Sequence, residues 1–344
     1  MVDLLFYTIG VLYISFLVPF SNGLTIAITG TSQGIGLDAA TRLISQGHTV
    51  IHACRSMERA AVAADKSCGG VPMECDLASF KSIRTFASRL REEFGSLDVL
   101  CCNAGIAPST RALAPELSSD GFEECLAVNH LGHFLLTNLL ADLLEADGGG
   151  QLVVTASSVH DPDSPGGNVG GKGGATLGDL SGLGVQLDGE EGGTLATMAD
   201  GSTEYNGSKV YQDSKLANIL FGRRALTEFS GRKISVRMFN PGFIPSSGLF
   251  RAPKKDNWFT ATAFTVFAGL AGFAVPVETG GARLAYMATA PEEEVPSGSY
   301  FSAEVGSRAF MKEDGFDDAS VSIEASDNDL AARLWLKSLE IVGL

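Results

Sequence analysis

Leu24-Thr-Ile-Ala-Ile-Thr-Gly-Thr-Ser-Gln-Gly-Ile-Gly36 joins a short apolar, β-branched run to three spaced glycines and then to an Ala/Leu-rich helical stretch. Strand, glycine turn and helix, in that order, are the context in which a glycine fingerprint binds a dinucleotide. The spacing is T-G-x-x-x-G-x-G. Gly30 permits the tight turn, Gly34 lets backbone approach a pyrophosphate, and Gly36 lets the helix pack on the sheet. Backbone N–H groups at the helix start would face the phosphates, so Gly30, Ser32, Gly34, Ile35 and Gly36 are the candidate cofactor residues of this turn.

Outward from that turn, a strand–helix unit recurs about every 25 residues, with helices long enough for right-handed crossovers. Strands are expected at residues 48–54, 71–75, 97–102, 151–156 and 233–239, and helices at 79–94, 120–145 and 205–230. A further helix and strand (278–290 and 297–302) and an amphipathic C-terminal helix (327–344) complete the pattern. The fold class is α/β, a Rossmann-type doubly wound parallel sheet of about seven strands, forming a single domain over residues 23–344. Carboxyl ends of the strands mark the ligand crevice. Arg55, just past the second strand, suits a 2′-phosphate where an acidic residue would select the unphosphorylated cofactor, so NADPH is expected. Asp76-Leu77 follows the third strand, where a carboxylate can accept an adenine amino group. Asn103-Ala104-Gly105 lets a cofactor lie against the fourth, and Pro241-Gly242-Phe243 follows the sixth.

The stretch Glu204-Tyr-Asn-Gly-Ser-Lys-Val-Tyr-Gln-Asp-Ser-Lys-Leu-Ala-Asn-Ile-Leu220 carries Tyr-x-x-x-Lys twice, as Tyr205…Lys209 and Tyr211…Lys215. Residues four apart share a helix face. An ammonium beside a phenol lowers its pKa, which suits proton transfer near neutral pH. The second pair is preferred, because residues 216–220 continue it as a helix with a buried face, whereas the first contains Gly207 and abuts a glycine-rich segment. Asn129 is unfavourable inside a helix by propensity and so suits a polar role. His130 and His133 are three apart, but no carboxylate or cysteine at ligand spacing supports a metal, and they read as packing residues. Ser157 or Ser158 would face the crevice at the end of the fifth strand, the other serving as a turn serine.

A net charge of −15 argues against nucleic acid or an anionic membrane surface as partner. The six cysteines lie within the first 125 residues with no C-x-x-C pair, several in apolar runs, and read as reduced. Residues 4–20 are apolar and uncharged, near the lower limit for a membrane span. They lack the basic region and cleavage site of a secretory signal, and no Ser/Arg-rich transit peptide is visible. Residues 1–22 are therefore set apart as a cleaved signal, an anchor, a mis-assigned start or an arm packed on the domain, with membrane association through residues 4–20 as one expectation. Residues 161–204 form a Gly/Asp/Pro-rich insert. Residues 244–277 form an apolar flap over a bulky substrate, with Phe243 and Phe250 in its pocket.

Thr29-Gly30, Gly34, Gly36, Asn103-Ala-Gly105, Asn129, Ser157 and Tyr211-x-x-x-Lys215, in this order, resemble the short-chain dehydrogenase/reductase superfamily from residue 24 to the C-terminus. The resemblance implies Tyr211 as general acid/base and Lys215 on the nicotinamide ribose. It implies that Ser157, preferred to Ser158, orients the reacting group and that Asn129 supports a proton relay. Within the superfamily, Gly167-Asn-Val, Leu177-Gly-Asp-Leu-Ser-Gly-Leu183, Tyr211-Gln-Asp-Ser-Lys215, Ser247-Gly-Leu-Phe-Arg251, Ser297-Gly-Ser-Tyr300 and the ending Leu339-Glu-Ile-Val-Gly-Leu344 are most similar to light-dependent protochlorophyllide oxidoreductases. That family implies hydride transfer from NADPH to a tetrapyrrole C=C bond, driven by light, in a plastid. One departure is Phe243, where the family has a cysteine that contacts the pigment. The competing expectations are a dark NADP(H)-dependent carbonyl or retinol-type reductase, acting on a retinoid or lipid carbonyl and at home in the endoplasmic reticulum, and a pigment- or cofactor-binding protein without turnover. A secreted protein is not expected.

Overall fold

Strand side chains alternate between two apolar layers, and that alternation builds the molecule. Ala27, Ile51, Leu100, Leu152 and Val236 point to one layer, while Ile26, Ile28, Val50, Cys101 and Val153 point to the other. The computed structural model describes residues 23–167, 174–185, 198–250 and 272–344. The apolar run at residues 4–20 and most of the expected flap (251–271) lie outside the described residues. Among the described residues, no helix is long and apolar enough to cross a membrane.

The strands are β1 (Thr25–Thr29), β2 (Thr49–Cys54), β3 (Val71–Glu74), β4 (Val99–Cys102), β5 (Gly150–Thr155), β6 (Ile234–Phe239), β7 (Tyr300–Ser302) and β8 (Asp317–Asp318). They form one sheet in the order β3-β2-β1-β4-β5-β6-β7-β8. The first seven are parallel; β8 pairs antiparallel with β7 and is the strand the sequence pattern did not show. It is two residues of acidic sequence, too short for any periodicity. The order reverses between β1 and β4, so the crevice opens beyond the carboxyl ends of those two strands.

Helices α1 (Gly34–Ser45), α2 (Met57–Lys66), α3 (Phe80–Glu93), α4 (Glu124–Leu126), α5 (Gly132–Glu145), α6 (Gly207–Glu228), α7 (Val277–Thr289) and α8 (Asn328–Val342) cover the sheet. α1 and α7 bury Ala39, Leu43, Leu284 and Met287 on one face; α3, α5, α6 and α8 bury Phe86, Phe134, Leu220 and Leu334 on the other. Trp335 locks three of the latter together, with its ring 4.8 Å from Phe134 and 6.0 Å from both Phe221 and Phe229. The helix expected over 120–145 runs without a gap from Glu124 to Glu145, but not as a uniform α-helix. Between α4 and α5 lies a π-helical turn, Ala127–Leu131, of the kind that concentrates at functional sites. It carries Asn129.

Candidate active site

β1 ends at Thr29, and the chain then turns through Gly30 at φ 76°. A Cβ at Gly30 would lie 2.9 Å from Ala104, and one at Gly36 would lie 2.7 Å from both Asn103 Nδ2 and the Gly30 carbonyl. These two glycines let the first turn nest against the β4 loop. Gly34 is different: it has room for a side chain but a φ of 63°, so backbone conformation selects it. Among the described residues, no side chain caps the first turn of α1 and no acidic residue sits in it. Its N–H groups are therefore available to an anion. The Ile35 side chain packs toward α7, within 3.0 Å of where a Gly280 Cβ would be.

Arg55 is exposed directly after β2, and its charge is felt by Glu124. Asp76 is half-buried, one oxygen accepting the Ala78 N–H at 3.1 Å, and Leu77 is buried. An open glycine turn, an uncapped helix start and an exposed cation past β2 together fit a phosphorylated dinucleotide along the carboxyl edge.

A polar network missing from the sequence reading holds this edge together. Thr29 Oγ1 accepts the backbone N–H groups of Asn103 and Ala104, both at 2.9 Å, and Asn103 Nδ2 donates to the Thr29 carbonyl at 2.9 Å. His133 Nδ1 lies 3.1 Å from the Asn129 carbonyl, which can only accept, so Nδ1 carries the proton and Nε2 accepts from Thr29 Oγ1 at 2.9 Å. Burial lowers the His133 pKa to about 4 and keeps the ring neutral, as this pattern requires. His130 points elsewhere, to Ser338 Oγ at 2.9 Å. The two histidines diverge, and no metal-binding cluster exists among the described residues.

Asn129 is fully buried and clamps the β4 loop to α6. Its Oδ1 accepts the Ile106 N–H at 2.9 Å, and its Nδ2 donates to the Ile106 carbonyl and to Ser214 Oγ, each at 2.9 Å. Lys215 lies on the same helix, 3% exposed, with Nζ donating to the Thr155 carbonyl at 3.2 Å. A Cβ on Gly105 would be 3.4 Å from Asn129 Oδ1 and 3.6 Å from Lys215 Nζ, so the β4 loop passes over both. Desolvation brings the Lys215 pKa down to about 8.

Tyr211 is half-buried one helical turn before Lys215, whose Nζ lies over its ring, 5.7 Å from the centroid. Ser157, rather than Ser158, hydrogen-bonds the Tyr211 hydroxyl. His160, unflagged by the sequence, donates from Nδ1 to the Ser157 carbonyl at 2.7 Å and accepts the Ser322 N–H at 3.2 Å. The expectation of a lowered tyrosine pKa is not met. Burial pushes the Tyr211 phenol well up, opposed only by the Ser157 hydrogen bond, because the ammonium sits over the ring and is turned to the Thr155 carbonyl.

The other Tyr-x-x-x-Lys pair is split. Tyr205 donates to Glu123 Oε1 at 3.0 Å, while Lys209 turns away to Asp213 and Asp200. Pro241, Gly242 (φ 91°) and Phe243 follow β6. Arg283, 1% exposed on α7, donates to the Pro241 carbonyl at 3.1 Å and fixes this loop from behind. The Phe243 carbonyl accepts the Val275 N–H at 2.9 Å. Phe250 closes a 3-10 turn, Gly248–Phe250, and its side chain lies outside the described residues.

The chain's own relatives agree with this architecture. A model of the short chain dehydrogenase family matches residues 24–169. Protochlorophyllide reductase A of Oryza sativa subsp. japonica is 37% identical over 93% of this chain and 80% of its own length. Protochlorophyllide reductase of Chlamydomonas reinhardtii is 36% identical over 93% of this chain and 78% of its own. Both are described as chloroplastic. Among solved structures, a putative uncharacterized protein from Mycobacterium paratuberculosis superposes with a TM-score of 0.62 at 26% identity, covering 93% of each chain. Fold and relatives together make this chain a nicotinamide-dependent oxidoreductase that belongs to the short-chain dehydrogenase family and is similar to the protochlorophyllide reductases within it.

Proposed function

We propose that the chain uses NADPH to reduce a carbon–carbon double bond of a protochlorophyllide-type tetrapyrrole, with Tyr211 as proton donor and light absorbed by the bound pigment driving the hydride step. The observation that carries this reading is the 36–37% identity over 93% of the chain to proteins named protochlorophyllide reductase. The chloroplastic description of those relatives supports a plastid location.

NADPH would lie along the carboxyl edge, with its phosphates at the Gly30–Gly36 turn and the start of α1, its 2′-phosphate at Arg55, its adenine by Asp76-Leu77, and its nicotinamide near Gly105 and Pro241-Gly242. Bound there, it supplies the hydride. Tyr211 donates its phenolic proton to the neighbouring carbon, and the upward push of burial keeps that proton on the phenol until it is needed. Ser157 orients the hydroxyl. Lys215 places a positive charge beside the phenolate that donation leaves, and Asn129 holds the loop against which the reacting face lies. Phe243 has no exchangeable side-chain proton, so it cannot share proton donation with Tyr211.

The competing reading, a dark carbonyl reductase, draws on Phe243. Purified protein with NADPH and protochlorophyllide, held in the dark and then illuminated, separates the two. A red-shifted product that forms only in light is expected. No conversion under light, together with dark NADPH oxidation on all-trans-retinal, would overturn the proposal in favour of a carbonyl substrate.

A further inference from the structure

We propose that Lys209 and Asp213 form a docking clamp that seats the glycine-rich insert on α6, and that both are positioning residues for Tyr211. This inference rests on the reading of Tyr211 as the proton donor. The insert begins after Ser157 and the 3-10 turn Ser158–His160 that follows it, and ends just before α6, so it links the segments that carry Ser157 and Tyr211. Whatever fixes the insert also fixes the relation between those residues.

The clamp is fully satisfied. Lys209 Nζ has three protons and three acceptors: Asp213 Oδ2 at 2.6 Å, Asp200 Oδ2 at 3.0 Å and the Thr176 carbonyl at 2.9 Å. Asp213 has a completely buried side chain, and its other oxygen accepts the Thr176 N–H at 2.9 Å. Asp200 and Thr176 belong to separate described pieces of the insert, residues 198–204 and 174–185, so one ammonium holds those two together. Further ties point the same way. Glu324 Oε1 accepts the Thr176 hydroxyl at 3.0 Å and the Leu177 N–H at 2.8 Å, and Gln212 Nε2 donates to the Gly166 carbonyl at 3.2 Å.

Beneath these polar contacts Leu177, Leu180, Leu183, Met198 and Ala199 are buried in the main core. Leu180 holds a φ of 66°, a conformation that a leucine keeps only where its surroundings over-determine it. Along α6, Lys209 and Asp213 are one turn apart on one face, and Tyr211 and Lys215 are one turn apart on another. The helix thus presents the catalytic pair to the crevice and the clamp pair to the insert. That gives Lys209, the lysine of the first Tyr-x-x-x-Lys, a physical role.

Hydrogen–deuterium exchange and kinetics on the full chain test this. In Lys209→Met and in Asp213→Asn, exchange of residues 174–185 should accelerate at least about tenfold while β1–α1 peptides stay protected, since breaking a buried ion pair opens that segment locally. In the same variants kcat should fall about tenfold with the Kd for NADPH unchanged, and Lys209→Arg should restore both readouts. Unchanged exchange at 174–185 overturns the clamp. Faster exchange with wild-type kcat overturns the positioning role. Should the wild type fail to turn over protochlorophyllide, the substrate reading fails while the exchange arm still decides the clamp.

Discussion

Burial, more than the neighbouring ammonium, sets the protonation of Tyr211 and keeps the proton on the phenol, as the proposed donor role requires. Tyr211→Phe should abolish turnover. Tyr205→Phe should leave most turnover intact but cost about 1–2 kcal/mol of stability, because Glu123, whose pKa burial raises to about 7, loses the hydroxyl that solvates it; thermal unfolding reads this loss. Lys215 carries the opposite balance. Its folded-state pKa lies below the unfolded value, so its contribution to stability is complete above about pH 10.5 and is lost as pH falls through about 8. Ligand-free Lys215→Met should therefore be more stable than wild type at pH 7, by up to about 3 kcal/mol, and inactive. The gap should close as pH rises toward 10.5. A melting temperature for Lys215→Met that is below wild type at pH 7 would contradict this. Much of this residue-scale picture was readable from the doubled Tyr-x-x-x-Lys, and the choice of Tyr211 followed from Gly207 and the apolar run after Lys215. The direction in which the ammonium points was not readable, since it depends on the Thr155 carbonyl at the end of a different strand.

At the scale of elements, the turn from β1 into α1 was fully legible, because three glycines at fixed spacing have few other uses between a strand and a helix. Gly36→Ala tests it: the added carbon would sit 2.7 Å from Asn103 Nδ2 and the Gly30 carbonyl, forcing α1 away from the β4 loop. Stability should drop by about 1–3 kcal/mol and NADPH affinity should fall with it, measured by melting and by fluorescence titration of the cofactor. The π-helical turn around Asn129 was not legible. Close approach follows it directly, since a Cβ on Gly132 would lie 2.6 Å from the Leu77 carbonyl. Arg283 was equally silent. An arginine in an apolar helix shows nothing of its partners until the Pro241, Ser307 and Ala309 carbonyls are seen around it.

For the whole molecule, the regular spacing of apolar strands gave the parallel sheet, whose carboxyl edge is the proposed site. The antiparallel β8 escaped because two residues carry no pattern. The proposed cofactor site would stretch across that edge from Arg55 to Pro241, and charge at its far end should tune which dinucleotide enters. Arg55→Asp should lower NADPH affinity relative to NADH by about 10–100-fold, read from the ratio of kcat/KM values, since a carboxylate repels a 2′-phosphate and accepts ribose hydroxyls. The central claim, that Tyr211 delivers the proton in a light-driven reduction, is most directly tested by illuminating wild type, Tyr205→Phe and Tyr211→Phe with NADPH and protochlorophyllide and following the red-shifted absorption of the product. Product should form in the first two and not in Tyr211→Phe. Equal product from Tyr211→Phe, or product from wild type in the dark, would contradict it.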